Sequence, residues 1–403
     1  MTNNNKFNVD TLLNSLFRSE PLSELFENRV KELKISSTQA LEVMGIEYRP
    51  LQAILHGTKK QIDIINFIKL AGFLKVKKEL VIDLYLESLQ KNYPEDVFYH
   101  HSKIDFINEN FDLAPLVKSG FIKNTSDYKV LEEKIKLRFG LSSILEYKRS
   151  FTCAAFSAGT IQPKDPLTRE LWIESAIIAF QEISNSFEYS RQRLLEYFPT
   201  IREQTTDVDS GLFNVIKALF RLGVTVYYQP SLSTVHLRGA TLLVNNKPCI
   251  VITDYRGFYS TIWFALVHEL YHVLFDLDEI KNGTYHISEM DTESMKPVSE
   301  KENEANNFAR EYLLPKEKMD QLRPHINNHV YIKKFARLNN IHPSFIYTFH
   351  AHDAGSGSSK DWATAKRHNP NFDHLTSQLA LDWSDSTSTK DHIEKLKDFK
   401  IYN

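Results

Sequence analysis

Residues 263–275 read WFALVHELYHVLF. His268 and His272 stand four apart, and Glu269 follows the first directly. No proline interrupts 260–276 and apolar residues dominate, so the stretch reads as a helix. On a helix, positions four apart share a face, so both imidazoles can reach one metal ion. Glu269 is turned about 100° from His268 and can reach a water on the metal without being a ligand. This is the geometry of H-E-x-x-H hydrolases, in which Zn²⁺ lowers the pKa of water and the glutamate takes its proton. A buried helix with two hydrogen-bonded histidines would carry the same residues, so the surrounding chain has to decide.

A catalytic zinc needs a third protein ligand and an open position. Downstream lies EKENEANNFAREYLLP (300–315), an acidic start that becomes an amphipathic helix. Its apolar stripe is Phe308, Ala309, Leu313 and Leu314, and Pro315 ends it. Glu304, four before Phe308, is expected to project towards the histidine helix, with Glu300 as second choice. Acids at a helix start also suit the helix dipole as plain solvated groups.

The elements around these residues follow from patterning. VTVYYQ (224–229), HLRGATLLVN (236–245) and PCIVITD (248–254) are β-branched, apolar and separated by turn residues, and read as three strands. They lead straight into the histidine helix. The strand within HLRGATLLVN, which holds Arg238 and Gly239, is expected to offer its edge to an extended substrate backbone. Before them, LTRELWIESAIIAFQEISNSFEYSRQRLLEYF reads as one long helix ended by Pro199. SAGTIQPKDP (157–166) marks a boundary by its glycine and two prolines. From Ala354 a Gly/Ser segment leads into a charged tail.

The N-terminal region reads as short helices. Thr38 to Met44 is stopped by Gly45, a second helix runs from near Glu47 to Gly57, and a third passes through IDIINFIKLAGFL. Ala40, Leu41, Met44, Ile46, Leu51 and Ile54 have the spacing of a small packed core. Over about 40 residues this resembles a Cro/repressor-type (XRE) helix-turn-helix. The resemblance implies that the second helix of the motif meets base edges through Tyr48, Arg49 and Gln52. It places Gln39, Thr58, Lys59 and Lys60 at phosphates. A helical interaction module without DNA binding would share the same core.

The 403 residues suffice for two or three domains, and 42% apolar with 25% charged residues is ordinary for a globular chain. A formal net charge of −2 gives no global pull onto nucleic acid, so any DNA contact must come from a local basic surface. Two cysteines, Cys153 and Cys249, make no disulfide framework and fit a reducing compartment. No signal-peptide pattern and no run of about 18 apolar residues is read, so the expectation is a cytoplasmic protein without a membrane partner.

From about Arg202 to Pro315 the chain resembles the ImmA/IrrE family of metallopeptidases. The matching stretches are LGVTVYYQ (222–229), TVHLRGATLLVNNKPCIVITD (234–254), TIWFALVHELYHVLF (261–275) and ENEANNFAREYLLP (302–315). The likeness continues weakly through IKKFARLNNIHPSFIYTFH (332–350). The resemblance implies a thermolysin-like (gluzincin) fold, with Zn²⁺ held by His268, His272 and Glu304 and with Glu269 as general base. Mn²⁺ or Fe²⁺ also suits two histidines and a carboxylate. The loop from Asp276 to Glu300 is long, contains YHIS (285–288), and can cover the cleft or restrict the substrate. Tyr347, His350 and His286 are candidates for stabilising the oxyanion.

The expected architecture is α+β and mostly helical. A helix-turn-helix bundle covers 1–90 and a helical connecting region 91–198. A zinc peptidase domain with a small three-stranded sheet covers 199–350, and a partly helical tail 351–403. The resemblance implies an intracellular protease acting on a specific protein, a transcriptional repressor or another helix-turn-helix protein, after stress or phage-related signals. Double-stranded DNA is a further expected partner, and a homodimer an open one. The alternative is a DNA-binding repressor or antitoxin that keeps the peptidase fold as sensor or scaffold. A digestive protease fits poorly with an attached helix-turn-helix.

Overall fold

The computed structural model describes residues 20–93, 101–149, 166–233, 235, 237–254, 256–281, 286–289, 300–355 and 357–403. Cys153 and nearly all of the predicted boundary at 157–166 lie outside them. The chain divides into two compact units, Met1–Asp105 and Phe106–Asn403.

The first unit is helical: α1 (Leu22–Leu33), α2 (Ser37–Met44), α3 (Tyr48–His56), α4 (Ile64–Leu74) and α5 (Lys78–Asn92). Ser36 starts α2 with a capping box, its hydroxyl accepting from Gln39 N–H while the Gln39 side chain accepts from Ser36 N–H. Gly45 and Gly57 end α2 and α3 with φ of 59° and 61°, a left-handed conformation that glycine adopts at little cost. Ala40, Met44, Ile46, Leu51 and Ile54 are buried together with Leu22, Phe26 and Leu70. Leu41 is only partly buried against them.

The second unit packs helices around a mixed four-stranded sheet. Its main elements are α6 (Pro166–Ile183), α7 (Gly211–Arg221), β1 (Thr225–Tyr228), β2 (Leu237–Val244), β3 (Lys247–Ile252), α8 (Tyr259–Phe275), β4 (His286–Glu289), α9 (Glu300–Leu313), α10 (Ser344–Asp353), α11 (Ser359–Arg367) and α12 (Thr389–Asp398). The strand order is β1-β3-β2-β4. β1 runs parallel to β3, and β2 runs antiparallel to both β3 and β4. The three expected strands are therefore joined by a fourth, which comes from the long loop after α8.

The single helix expected over 167–198 is broken. Ser184 takes φ 51°, Asn185 turns its amide to the Phe220 carbonyl and Thr225 Oγ1, and Ser190 caps a new helix, Arg191–Tyr197. Local side-chain-to-backbone bonds from serine and asparagine compete with helix continuation here.

α8 is the centre of the unit. Tyr259, Ile262, Trp263, Leu266, Val267 and Leu270 are fully buried. Truncating one such side chain to alanine typically costs roughly 2–5 kcal/mol. The C-terminal stretch belongs to the same packing: Trp383 donates to the Pro230 carbonyl at 3.0 Å and Tyr402 to that of Val226 at 2.8 Å.

Burial pushes His342 down to about 4, and pushes His352, His368 and His392 in the same direction. The unfolded chain takes up these protons near pH 6.5, whereas the folded chain resists them. Their contribution to stability is therefore fully present above about 6.5 and is lost as pH falls from there towards 4. Melting temperatures recorded from pH 8 to 4 should decline from near 6.5, and His342→Asn should flatten the slope. An unchanged slope would show that His342 is protonated equally well in the folded state.

Among the described residues no helix is long and apolar enough to cross a membrane.

Candidate metal centre

His268 and His272 lie on the inner face of α8, 2% and 0% exposed. Their Nε2 atoms are 3.3 Å apart. The carboxylate of Glu302, in the first turn of α9, meets both: Oε2 is 3.2 Å from His268 Nε2 and Oε1 is 3.3 Å from His272 Nε2. These three residues form the cluster able to hold a metal ion among the described residues. Ligand atoms about 2.0–2.1 Å from a tetrahedral ion lie about 3.3 Å from one another, so the observed spacings fit zinc. Two imidazoles and a carboxylate also leave the fourth position open.

The structure brings Glu302 to the two histidines, where the sequence led to the expectation of Glu304. Glu304 points elsewhere: it is exposed and accepts a hydrogen bond from Tyr271 Oη at 2.7 Å. The face of α9 that packs on α8 is defined by Ala305, Ala309 and Leu313, all buried. Glu302 stands seven residues before Ala309, within about 20° on the helix, whereas Glu304 is turned far from it. Phe308, used to centre the predicted stripe, sits at the side of the contact, against Phe198, Tyr271 and Phe275. Glu300, the second choice, is exposed at the first residue of α9.

Asp276 holds His272 from behind, with Oδ2 2.8 Å from Nδ1. A carboxylate in that place fixes the ring so that Nε2 faces the site. Burial opposes charge on His272, but the hydrogen bonds to Asp276 and Glu302 and the field of Glu269 outweigh it and push the imidazole up to about 9. Burial likewise opposes ionisation of Glu302, yet the hydrogen bonds from His268 and His272 hold its carboxyl far below the usual range. Lys301, beside Glu302, pairs with Asp276 Oδ1 at 3.2 Å.

Glu269 is 0% exposed. Thr241 on β2 donates to its Oε2 at 2.7 Å. Gly239 lets it approach the strand: a Cβ there would lie 2.8 Å from Glu269 Oε1 and 2.9 Å from its Cγ. The β2–β4 register also shifts between Leu237 and Gly239. β4 pairs with β2 beside this glutamate, Gly239 opposite Ser288 and Thr241 opposite His286. The β2 edge, expected to be open for substrate, is thus occupied by the chain itself.

Thr241, Asp276 and Glu302 escaped the sequence reading. Asp276, four after His272, had a legible signal in the i,i+4 spacing. Thr241 had none, because its role depends on strand-to-helix contact. Of the oxyanion candidates, the Tyr347 hydroxyl is 3.2 Å from His329 Nδ1 and His350 Nε2 is 3.6 Å from Asp361. The side chain of His286 lies outside the described structure.

In the first unit, Tyr48 and Arg49 are exposed at the start of α3 and Gln52 is half-buried. Lys59 and Lys60 are exposed, with Lys60 Nζ 4.8 Å from the centre of the Tyr93 ring. Gln39 spends its side-chain oxygen on the capping box.

Residues 221–340 match the family model described as the IrrE N-terminal-like domain, peptidase M78. The matched segment contains the sheet, α8, α9 and all of the metal cluster. It supports the ImmA/IrrE family and a metallopeptidase-type domain. No curated protein and no solved structure matches the chain.

Proposed function

We propose that the chain is a cytoplasmic regulatory zinc peptidase that cuts a specific protein, a transcriptional repressor or another helix-turn-helix protein, after stress or phage-related signals. The observation that carries this reading is the convergence of His268, His272 and Glu302 beside a buried Glu269, within the segment that matches a peptidase family. His268, His272 and Glu302 would hold the ion. Bound there, zinc supplies a water of lowered pKa and polarises a carbonyl.

The rest of the chemistry belongs to the chain. Glu269 accepts a proton from the attacking water and returns it to the leaving amine. Thr241 fixes the carboxylate by hydrogen bond and Gly239 gives it room against β2. Asp276 keeps His272 in one orientation. The first unit serves as the targeting module, a role favoured by the exposure of Tyr48 and Arg49 at the start of α3.

A substrate backbone that adds to β2 must displace β4. Ile287 stands opposite Ala240, and Ile287→Pro is expected to disturb the pairing there and weaken that strand. One ladder hydrogen bond at about 0.5–1.5 kcal/mol corresponds to a roughly two- to tenfold faster initial rate. An unchanged or slower rate would mean that substrate does not enter along this edge.

The reading is tested by incubating zinc-loaded protein with purified helix-turn-helix repressors and mapping products by mass spectrometry. One cut, lost on chelation, is expected. Scattered cutting of unrelated unfolded proteins would replace regulation by general proteolysis. No cutting by a fully loaded protein would leave the repressor or antitoxin reading, with the peptidase fold as scaffold.

A further inference from the structure

A second concave site lies next to the metal centre. Residues of β2, α8, α9, α10 and α11 enclose a cavity of about 340 Å³, at the small end of the range for ligand pockets. Its lining carries four cations, Arg238, Arg256, Arg310 and Lys316, against a single carboxylate, Asp353. That carboxylate is engaged by Arg310 at 2.8 Å and by Arg323 at 3.5 Å. The cavity is therefore electropositive. His352, also in the lining, is held below its ordinary range by burial first and by Arg238 next.

Three of the cations are stacked on rings. Arg238 lies 5.6 Å from the centre of Phe264, Arg256 5.4 Å from Trp362 and Arg310 4.2 Å from Phe349. Stacking orients a guanidinium with its N–H edge turned sideways towards acceptors; Arg238 meets Asn306 Oδ1 there at 3.3 Å, and Arg310 meets Asp353 through Nη2. Two donors in the lining are also unsatisfied. Arg310 Nη1 and the hydroxyl of Thr348, a residue 3% exposed, are buried without a hydrogen-bond partner among the described residues. Both atoms are closed to water, so neither faces the open cavity as it stands, and it is the cations and rings of the lining that favour a ligand.

We propose that this cavity binds a small organic anion, a carboxylate or phosphate carried on an apolar or ring-bearing body. The anionic end meets Arg310, Arg256 and Lys316, and the body packs on the rings of Phe264 and Trp362. The site is distinct from the metal cluster and needs no metal. Phe264 stands one turn before His268, with ring centres 6.3 Å apart, so a ligand here sits one helical turn from the reacting centre.

The test is a calorimetric titration of the metal-free full chain with phenyl phosphate, phenol and inorganic phosphate. Arg256 and Lys316 are exposed, so Arg256→Gln/Lys316→Gln is chosen to spare the fold, with its melting temperature as control. Saturable binding of phenyl phosphate is expected, about tenfold or more weaker in the double variant. Binding to phenol and to inorganic phosphate should be at least tenfold weaker than to phenyl phosphate. No saturable binding, equal binding of phenol, equal binding of inorganic phosphate, or wild-type affinity in the double variant would each overturn the proposal. Because metal is absent, none of these outcomes depends on whether the protein cuts peptides.

Discussion

Glu269→Gln is expected to lower kcat/KM for peptide hydrolysis by about 10²–10⁴-fold, the usual contribution of a general base, while zinc stays bound at the wild-type level. At about 1.4 kcal/mol per tenfold this is roughly 3–5 kcal/mol of lost transition-state stabilisation. Glutamine preserves the shape of the side chain. Its amide oxygen can still accept from Thr241, so the pocket beside Gly239 stays filled. What disappears is the capacity to take a proton from water. The check combines a fluorogenic peptide assay with elemental analysis of the purified variant. Metal lost together with activity would make Glu269 part of the ion's environment. Activity retained at full metal content would move the base elsewhere and remove the central step of the mechanism.

That helix was legible in the sequence because its signal is local. Histidine spacing, unbroken apolar flanks and the absence of proline depend on neighbours along the chain, and α8 spans Tyr259–Phe275 around the stretch that opened the reading. The strands were legible for the same reason, as β-branched, apolar runs between turns. α2 and α3 were bounded by Gly45 and Gly57, whose left-handed φ the turn requires. What failed to read out depends on which faces meet. The break at Ser184 is stabilised by bonds from Asn185 to Phe220 and Thr225, residues from a later helix and strand. β4 is four residues without a strong pattern of its own, and it becomes a strand by pairing with β2.

The proximity of Glu302 to the histidines escaped notice for a subtler reason, and its test has the second large effect. Glu302→Gln should weaken zinc binding by more than the roughly 10–100-fold typical of losing a supporting hydrogen bond to a ligand. Asp276→Asn should fall within that range, because Asp276 orients His272 rather than facing the ion. Glu304→Gln should leave affinity within a few-fold of wild type, since its partner is the Tyr271 hydroxyl. Glu302 and Glu304 differ by helical phase. α9 packs on α8, and its buried residues are Ala305, Ala309 and Leu313, two of them small. Weighting the large Phe308 as the centre of the stripe rotates the predicted face and selects Glu304. Weighting the alanines brings Glu302 into line with Ala309. Competition titrations with a chelator at fixed pH separate the variants. Zinc retained by Glu302→Gln and lost by Glu304→Gln would show that α9 turns on loading, and that the face packed on α8 is not the one that holds the ion.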